Sequence, residues 1–547
     1  MTIPWALYTE LFGTVFNVRA YGAKGDGVAD DTAPFRAALS DVSRHRGGTM
    51  VVPDGDYRIT NVLSESLTNT AIVGLGRARV IQATRGRGVF HFPSASRVRI
   101  ANIWLYGPNS PVETPSETAI RIDAGRDVTV ESCTIERFAL QGIRSSADET
   151  SVIDSLLIGL DPPSYGRTTH VGIQIVNGSR AYIAGNRVEF SQVGINTQGT
   201  GQYHRVVNNL VRAGAGIDAS LYVAAGNYSI VANNVIIGTT PTGYGIKMGF
   251  GAIGPIVKGN VCVNQSIFVN ESYGAVIEGN TVDGGAIAVS QDVAGRFAVG
   301  ARVLGNVVQN GVNDGIYARG KYLTIAGNFI SRAQFNGINI ASTDTSYTIE
   351  HVLVQNNTIV DCGQRAENSY SDINLGDGNG ESFGYLAVIG NILQAANAGG
   401  KTKHGMSWGG GSGLRLAVAD NHYVNRHGIS DSNVPVELLV EGLTTESPIA
   451  GAGLELPIVA VTTSYTLTAR DFTVLGDANR GVVRITLPSA RRRAGRLYTI
   501  KKTDRSANPV VVEASAGQTI DGDMTKLLTA PNQFARVQAD GENWFVV

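Results

Sequence analysis

The sequence predicts an all-β protein, a single-stranded right-handed parallel β-helix with an N-terminal capping helix and a small C-terminal β-sandwich-like module. Two repeating patterns carry this prediction. The first is an Asn followed by an apolar pair, which recurs at intervals of 20 to 34 residues. The second is a strand-like phrase, Gly-Ile-x-apolar, between successive asparagines. Two short alternating strands per repeat, with no helical stretch between them, are typical of a parallel β-helix.

The recurring asparagines are predicted to be structural. Coils of a β-helix stack about 4.8 Å apart, so a turn that recurs on every coil brings identical side chains into one column. An amide carries both donors and an acceptor and can therefore bond up and down such a column. The asparagines are Asn186, Asn209, Asn234, Asn260, Asn280, Asn306, Asn328, Asn357 and Asn391.

Composition excludes several classes of protein. Hydrophobic residues make up 43% of the 547 residues, which is enough for a large core and excludes disorder as the main state. The 45 Lys and Arg nearly balance the 46 Asp and Glu, so no overall basic field exists for nucleic acid or an anionic membrane. No apolar run is long enough for a transmembrane helix, and the opening residues do not read as a secretory signal. The three cysteines are too few and too scattered for a disulfide scaffold or a zinc site, so we expect buried thiols.

A helix is predicted to close the front of the solenoid, because the end of a stacked core would otherwise be exposed. Asp31 or Thr32 caps this helix, and a Gly pair at 47–48 ends it. Its apolar stripe consists of Phe35, Ala38, Leu39 and Val42.

The phrases YGAKGDGVADDT and GGTMVVPDGDYRI, on either side of this helix, resemble the N-terminal motif of the pectate-lyase-like β-helix superfamily. That superfamily includes polygalacturonase-like enzymes, mannuronan epimerases and bacteriophage tailspike depolymerases, and the chain is most similar to the tailspikes. The resemblance implies the fold and a polysaccharide substrate. It implies no reaction, because the catalytic phrases of the polygalacturonases and the epimerases do not occur in the coils. Asp26, Asp30 and Asp31 of the motif are interpreted as caps of free N–H groups.

From about residue 455 the Asn repeat gives way to alternating strands with Asp-Gly turns, which indicates a separate small β module. This module resembles the C-terminal modules of phage tail proteins and would drive trimerisation, bind sugar, or both. The predicted organisation is a short virion-facing or assembly segment at 1–15, a capping region at 16–51, the β-helix at 52–440, a linker at 441–454 and the C-terminal module at 455–547.

Outward-facing side chains of the Gly-Ile-x-apolar strands supply the candidate binding residues. The residue after Ile faces outward, as does the one two positions later, which predicts two polar columns on one face. Such a ribbon suits a long neutral or weakly anionic glycan, although it also fits a solvated sheet face or a trimer contact. The first predicted column reads Gln174, Asn196, Asp218, Lys247, Phe268, Ala288, Tyr317, Asn339 and Asn374. The predicted substrate-binding residues, including one from the insertion at 395–413, are Gln174, Asn196, Gln198, Lys247, Asn270, Asn339 and Trp408.

Three residues of one coil, Asp314, Tyr317 and Arg319, form the main predicted catalytic group. Tyr317 as a base with Arg319 neutralising a uronate would fit β-elimination. Asp314 with a second acid would instead fit glycoside hydrolysis.

Two more carboxylates are predicted to be catalytic. Asp218 is placed one coil from Lys247, either as its ion-pair partner or as an acid held ionised for catalysis. Asp372 lies among the insertions that would wall one end of the solenoid. No metal site and no cofactor are predicted.

These patterns lead to one expected function and two alternatives. We expect a phage-type spike or receptor-binding protein that recognises and depolymerises a bacterial surface polysaccharide, namely a capsule, an O-antigen or an exopolysaccharide. Its partners would be that polysaccharide, a virion tail or adaptor protein, and two further copies in a homotrimer, and it would lie on the virion surface. The alternatives are a non-catalytic glycan-binding spike of the same fold and a bacterial carbohydrate-active lyase, hydrolase or epimerase.

Overall fold

The computed structural model forms two compact units, Met1–Ala450 and Gly451–Val547. It describes residues 14–108, 117–159, 170–190, 193–213, 219–224, 226–238, 243–290, 297–341, 348–366, 369–376, 382–394, 404–408, 415–424, 429–431, 438–441, 444–445, 458–468, 471–491 and 495–547.

The first unit is a solenoid of three parallel sheets, which we call sheets A, B and C. One coil passes through all three in turn, for example through Ile256–Lys258, Val261–Val263 and Gln265–Asn270. Sheet A contains Val15–Asn17, Gly48–Val52, Leu67–Gly74, Ala95–Ala101, Gly125–Glu131, Asp148–Ile153, Tyr182–Ala184, Arg205–Val207, Ile230–Ala232, Ile256–Lys258, Val276–Glu278, Arg302–Leu304, Thr324–Ala326, Val352–Gln355, Tyr385–Ile389, Arg415–Ala419 and Leu438–Glu441.

Sheets B and C complete the coils. Sheet B contains Asp26–Asp30, Gly55–Ile59, Ala78–Gln82, Trp104–Tyr106, Thr134–Glu136, Leu156–Ile158, Arg187–Phe190, Leu210–Ala213, Val235–Gly238, Val261–Val263, Thr281–Asp283, Val307–Gln309, Phe329–Ser331, Thr358–Val360, Ile392–Gln394, His422–Val424 and Thr444–Thr445. Sheet C contains Leu63–Ser64, Phe90–Phe92, Thr118–Ile122, Gln141–Ser145, Val171–Val176, Val193–Gln198, Ala219–Ala224, Gly243–Gly249, Gln265–Asn270, Ile287–Ser290, Ile316–Ala318, Ile338–Ile340, Ser371–Leu375, His404–Trp408 and Ile429–Asp431. Two short pairs flank them, Ala298–Val299 with Gly320–Lys321 and Thr348–Ile349 with Ser382–Phe383.

Stacked aliphatic side chains fill the interior of the solenoid. Alternation along each strand sends one set of residues inward, so that Ile195, Leu221 and Ile246 pair on adjacent coils of sheet C and are all fully buried. Burial of each such side chain contributes about 1.5–3 kcal/mol. All three cysteines are buried free thiols, as predicted.

The predicted capping helix is present as Thr32–Arg44, preceded by a short 3₁₀ helix at Val18–Tyr21. Its four predicted apolar residues are all buried. Asp31 occupies the cap position, but its carboxylate accepts hydrogen bonds from the backbone N–H groups of Lys24 (2.6 Å) and Gly25 (3.1 Å) rather than from the helix. The carboxylate thus ties the Gly-rich turn to the helix. None of the helices in the described ranges is long and apolar enough to span a membrane.

The predicted asparagine column is a continuous hydrogen-bonded ladder. From Asn186 onward, each side-chain Nδ2 donates to the Oδ1 of the asparagine on the next coil at 2.8–3.0 Å. The same Oδ1 accepts the backbone N–H of the preceding asparagine, and each Nδ2 also bonds a backbone carbonyl. The ladder ends at Asn421, one coil beyond the recurring pattern.

The second unit consists of two sheets around one core that contains Tyr498 and Trp544. One sheet is made of Ile458–Val461, Thr473–Gly476, Leu497–Lys502, Phe534–Ala539 and Trp544–Val546, and the other of Tyr465–Thr466, Val483–Thr486, Val510–Glu513 and Thr525–Leu528. A buried ion pair joins Lys502 Nζ to Asp504 Oδ1 at 2.5 Å.

Candidate polysaccharide site

The outer face of sheet C carries one continuous column of side chains. Parallel register places these residues directly beside one another on successive coils, and it confirms the predicted order of the column at every position but one. From the N-terminal end the column reads Ser64, His91, Arg121, Arg144, Gln174, Asn196, Tyr222, Lys247, Phe268, Ala288, Tyr317, Asn339, Asn374 and Ser407.

The prediction for Asp218 is wrong in register. The partner of Asn196 is Tyr222, because the strand of that coil begins at Ala219 and sends Leu221 inward. Asp218 itself lies outside the described residues. Ser220, two positions after Asp218 and thus predicted to face outward, is buried, and its hydroxyl donates to Gln265 Oε1 at 2.5 Å.

Much of this face is not solvent-exposed, contrary to the prediction. Gln174 and Asn196 are each 8% exposed, Lys247 is 9% exposed and Asn270 is fully buried. Within the part of the chain that the structure describes, neither the oxygen nor the nitrogen of the Asn270 amide has a hydrogen-bond partner. Gln198 is partly exposed.

Aromatic rings enclose Lys247. Its Nζ lies 5.4 Å from the ring centre of Tyr222, 5.8 Å from Tyr244, 5.6 Å from Phe250 and 5.9 Å from Phe268. Tyr244 also stacks on Phe268 with 4.8 Å between ring centres. Since the ammonium is almost buried, a ligand would meet the part-exposed rings of the two tyrosines and Phe250, while the cation fixes their positions.

The predicted catalytic residues Asp314, Tyr317 and Arg319 lie together, around Asn339 of the next coil. Arg319 Nη2 donates to Tyr317 Oη at 2.6 Å. Asp314 Oδ1 accepts the backbone N–H and the side-chain Nδ2 of Asn336, and its Oδ2 accepts Asn339 Nδ2, all at 2.9 Å. Tyr317 pairs in register with Asn339, so the carboxylate and the phenol flank the same amide.

This group is partly exposed and contains an acid whose pKa is raised. Burial raises the pKa of Asp314, although its three hydrogen bonds from Asn336 and Asn339 act in the opposite direction. Asp314, Tyr317 and Asn339 all remain partly exposed. The amide chain continues outward along the solenoid, since Asn374 Nδ2 donates to Asn339 Oδ1 at 3.0 Å. Here an acid, a phenol and amide groups are accessible on one face.

Two other predicted site residues, Asp372 and Trp408, come from later coils. Asp372 is fully buried at the start of its strand, and its backbone oxygen lies beside Gly337 on the neighbouring coil. Trp408 ends the strand that pairs with Ser371–Leu375, but its side chain lies outside the described residues. Within the described ranges, no group of three or more His, Cys, Asp or Glu residues could hold a metal ion.

The sequence did not lead us to predict that the column begins with basic side chains. His91, Arg121 and Arg144 precede Gln174 in the same register. The phrases AIRID and QGIRS follow the same rule that located the later positions, so the signal was present in the sequence. These early coils lack the Asn marker that made the later ones conspicuous.

Comparison with known proteins supports this fold assignment. Residues 15–253 match the family model described as rhamnogalacturonase A/epimerase, pectate lyase-like. The mannuronan C5-epimerase AlgE1 of Azotobacter vinelandii is 38% identical over 72 residues, which are 12% of this chain and 5% of the epimerase. The chain therefore aligns with only a small part of that relative.

Two solved structures of phage proteins also show similarity to this chain. The Dettilon tailspike protein matches with a TM-score of 0.43 and 15% identity, covering 71% of this chain and 69% of the tailspike. The N-terminal fragment of bacteriophage phi29 gene product 12 matches with a TM-score of 0.43 and 14% identity, covering 91% of this chain and 92% of the fragment. The chain is thus similar to the pectate-lyase-like family over residues 15–253, and its own stacked parallel coils form a β-helix.

Proposed function

We propose that this protein binds a bacterial surface polysaccharide along the outer face of sheet C and cleaves it at the Asp314–Tyr317–Arg319 group. The observation that carries this proposal is the contact of 2.6 Å between Arg319 Nη2 and Tyr317 Oη beside a carboxyl of raised pKa. The local match to a mannuronan C5-epimerase adds support for a polysaccharide ligand.

The geometry favours β-elimination over hydrolysis. A guanidinium that donates to the phenol oxygen stabilises negative charge there, so Tyr317 is suited to remove the proton next to a uronate carboxylate. Asp314 is suited to donate a proton to the leaving oxygen because its pKa is raised. Hydrolysis needs a second carboxylate at about 5 to 10 Å. Asp372, the other predicted acid that the structure describes, is fully buried.

One observation favours the alternative of a binding spike without catalysis. Asp314 accepts three hydrogen bonds from Asn336 and Asn339, an arrangement that also serves to lock adjacent coils together. In that case the aromatic rings around Lys247 and the amides near Asn339 would hold the glycan, and nothing would be cleaved.

We further propose that the chain acts as a homotrimeric virion spike. Its outer faces on sheets A and B carry apolar side chains where a monomer would place polar ones. Examples are Ile230 and Ile256 on sheet A, with Val235 and Val261 on sheet B, the last two being 38% and 37% exposed. Parallel packing of three solenoids would bury such faces. Light scattering should then give about 173 kDa, three times the chain mass of 57.7 kDa, and a monomer would contradict the spike.

Cleavage is tested with a panel of uronate-containing bacterial polysaccharides. Elimination creates a conjugated double bond, so ultraviolet absorbance should rise together with new reducing ends, whereas hydrolysis produces reducing ends alone. Tyr317→Phe should abolish the absorbance change, and the matched variant Tyr273→Phe, at a tyrosine that is 53% exposed away from sheet C, should not. If the protein binds polysaccharides of the panel but cleaves none of them, the non-catalytic spike is favoured. If it neither binds nor cleaves any of them, the proposed site is contradicted.

A further inference from the structure

Three side chains at the N-terminal end of the sheet C column form a hydrogen-bonded relay. Ser64 Oγ lies 3.2 Å from His91 Nδ1, and His91 Nε2 lies 2.8 Å from Asp123 Oδ2. The serine is exposed, and the side chains of His91 and Asp123 are 30% and 31% exposed. A hydroxyl, an imidazole and a carboxylate in this order are the components of an activated nucleophile.

The coil register brings these residues together. Ser64 and His91 are direct partners on adjacent coils, and His91 is the partner of Arg121 on the next. Asp123 follows Arg121 by two residues, immediately after the strand ends. Because each residue is anchored to a separate rung of one sheet, their order along the solenoid is fixed by the backbone.

In the neutral imidazole, these hydrogen bonds select one tautomer. A carboxylate accepts, so His91 Nε2 carries the proton that it donates to Asp123. Nδ1 is then unprotonated and accepts the hydroxyl proton of Ser64, as a general base must. Burial acts to raise the pKa of Asp123, but hydrogen bonds from Arg121 and His91 outweigh it and lower the pKa. This acid is therefore ionised at neutral pH.

Two arginines hold the carboxylate in place. Arg121 Nε lies 2.7 Å and Arg144 Nη1 lies 3.5 Å from Asp123 Oδ1, which leaves Oδ2 directed at His91. Their positive charge would also stabilise an oxyanion that forms on this surface. The same charge offsets part of the carboxylate's effect on the imidazole, so we expect slow turnover.

We propose that Ser64 is the nucleophile of a serine hydrolase site that removes O-acyl groups from a glycan. Ser64 Oγ would bond to the acyl carbon while His91 takes the hydroxyl proton. The ester C–O bond then breaks, the glycan oxygen leaves with the proton returned by His91, and the acyl group stays on Ser64. Water, deprotonated by His91, releases the acyl group as a carboxylic acid and restores the serine. The identity of the ester as a glycan ester rests on the proposed function, because Ser64 shares the column that we assign to the polysaccharide.

A covalent probe tests the nucleophile independently of any glycan. The full chain is incubated with a fluorophosphonate, and modified peptides are located by mass spectrometry. We expect labelling at Ser64 that is absent from Ser64→Ala and reduced about 100-fold or more in His91→Gln. The matched control Ser94→Ala, at an exposed serine near the same strand, should label normally. Hydrolysis of p-nitrophenyl acetate should follow the same order.

Several outcomes would overturn the proposal. Unlabelled wild-type chain, or labelling that survives His91→Gln, would show that Ser64 is not activated by the relay. A melting temperature of Ser64→Ala equal to that of the wild type excludes misfolding as the cause of its lost labelling. Since neither substrate is a polysaccharide, failure here leaves the cleavage assay at Tyr317 unaffected. Conversely, labelling without release of acyl groups from O-acylated polysaccharides would retain the nucleophile but refute the glycan ester.

Discussion

Replacing one asparagine of the ladder tests how the solenoid is held together. Asn280 lies in the middle of the column, and its Oδ1 accepts both the backbone N–H and the Nδ2 of Asn260 at 2.9 Å. Its own Nδ2 donates to the carbonyl of Val257 at 3.0 Å and to Asn306 Oδ1 at 2.9 Å. Asn280→Ala therefore removes four hydrogen bonds from a site with no solvent exposure.

The largest single cost comes from the group that is left without a partner. Asn260 Nδ2 still bonds Val231, and Asn306 Oδ1 still accepts the backbone N–H of residue 280. The backbone N–H of Asn260 loses its acceptor, which costs about 1–3 kcal/mol when buried. The other lost bonds contribute about 0.5–1.5 kcal/mol each. We therefore expect the free energy of unfolding to fall by about 2.5 to 7.5 kcal/mol.

Denaturant unfolding and hydrogen exchange measure this effect. The midpoint should fall, and the peptide containing the Asn260 N–H should lose protection before distant coils do, because neighbouring coils stabilise each other pairwise. Asn313→Ala, at an exposed asparagine of the same solenoid, should change the free energy of unfolding by less than about 0.5 kcal/mol. Equal effects of the two substitutions would refute the assignment of the ladder as a main source of stability.

Two further predictions concern buried titratable side chains. Burial lowers the pKa of His204 from 6.5 to about 4, so its contribution to stability is complete above pH 6.5 and is lost as pH falls toward 4, by about 3 kcal/mol. His204→Gln should flatten this dependence when unfolding is measured at both pH values, and an unchanged slope would contradict it. In the second unit, Asp504→Ala leaves the Lys502 ammonium buried and should lower the free energy of unfolding by about 3–5 kcal/mol. Glu513→Ala breaks the more exposed pair with Arg484 and should lower the free energy of unfolding by less than about 1 kcal/mol. Thermal melts of the two variants measure this difference.

The repeating parts of the structure were predictable because each repeat imposes the same local requirement. An amide side chain at every coil corner has one satisfactory arrangement, so the spacing of Asn186 and its successors was sufficient to predict the ladder. The Gly-Ile-x-apolar rule likewise placed Tyr317 and Asn339 in one column. The rule failed at Asp218 because the phrase GIDA satisfies it, while the next phrase, ASLYVA, alternates equally well and forms the strand.

Exposure and cross-coil chemistry could not be predicted in the same way. Whether Lys247 is open or buried depends on rings contributed by other coils, such as Tyr222 and Phe268, and a pattern within one strand carries no information about them. The relay at Ser64 shows the same limit, since its members are separated by 27 and 32 residues along the chain. In a solenoid the core must stay uniform for the coils to stack, whereas the outward column can vary from coil to coil without disturbing it. Sites for different chemistries can therefore be placed along one column, and two candidate sites ten strands apart on sheet C are a direct consequence of this architecture.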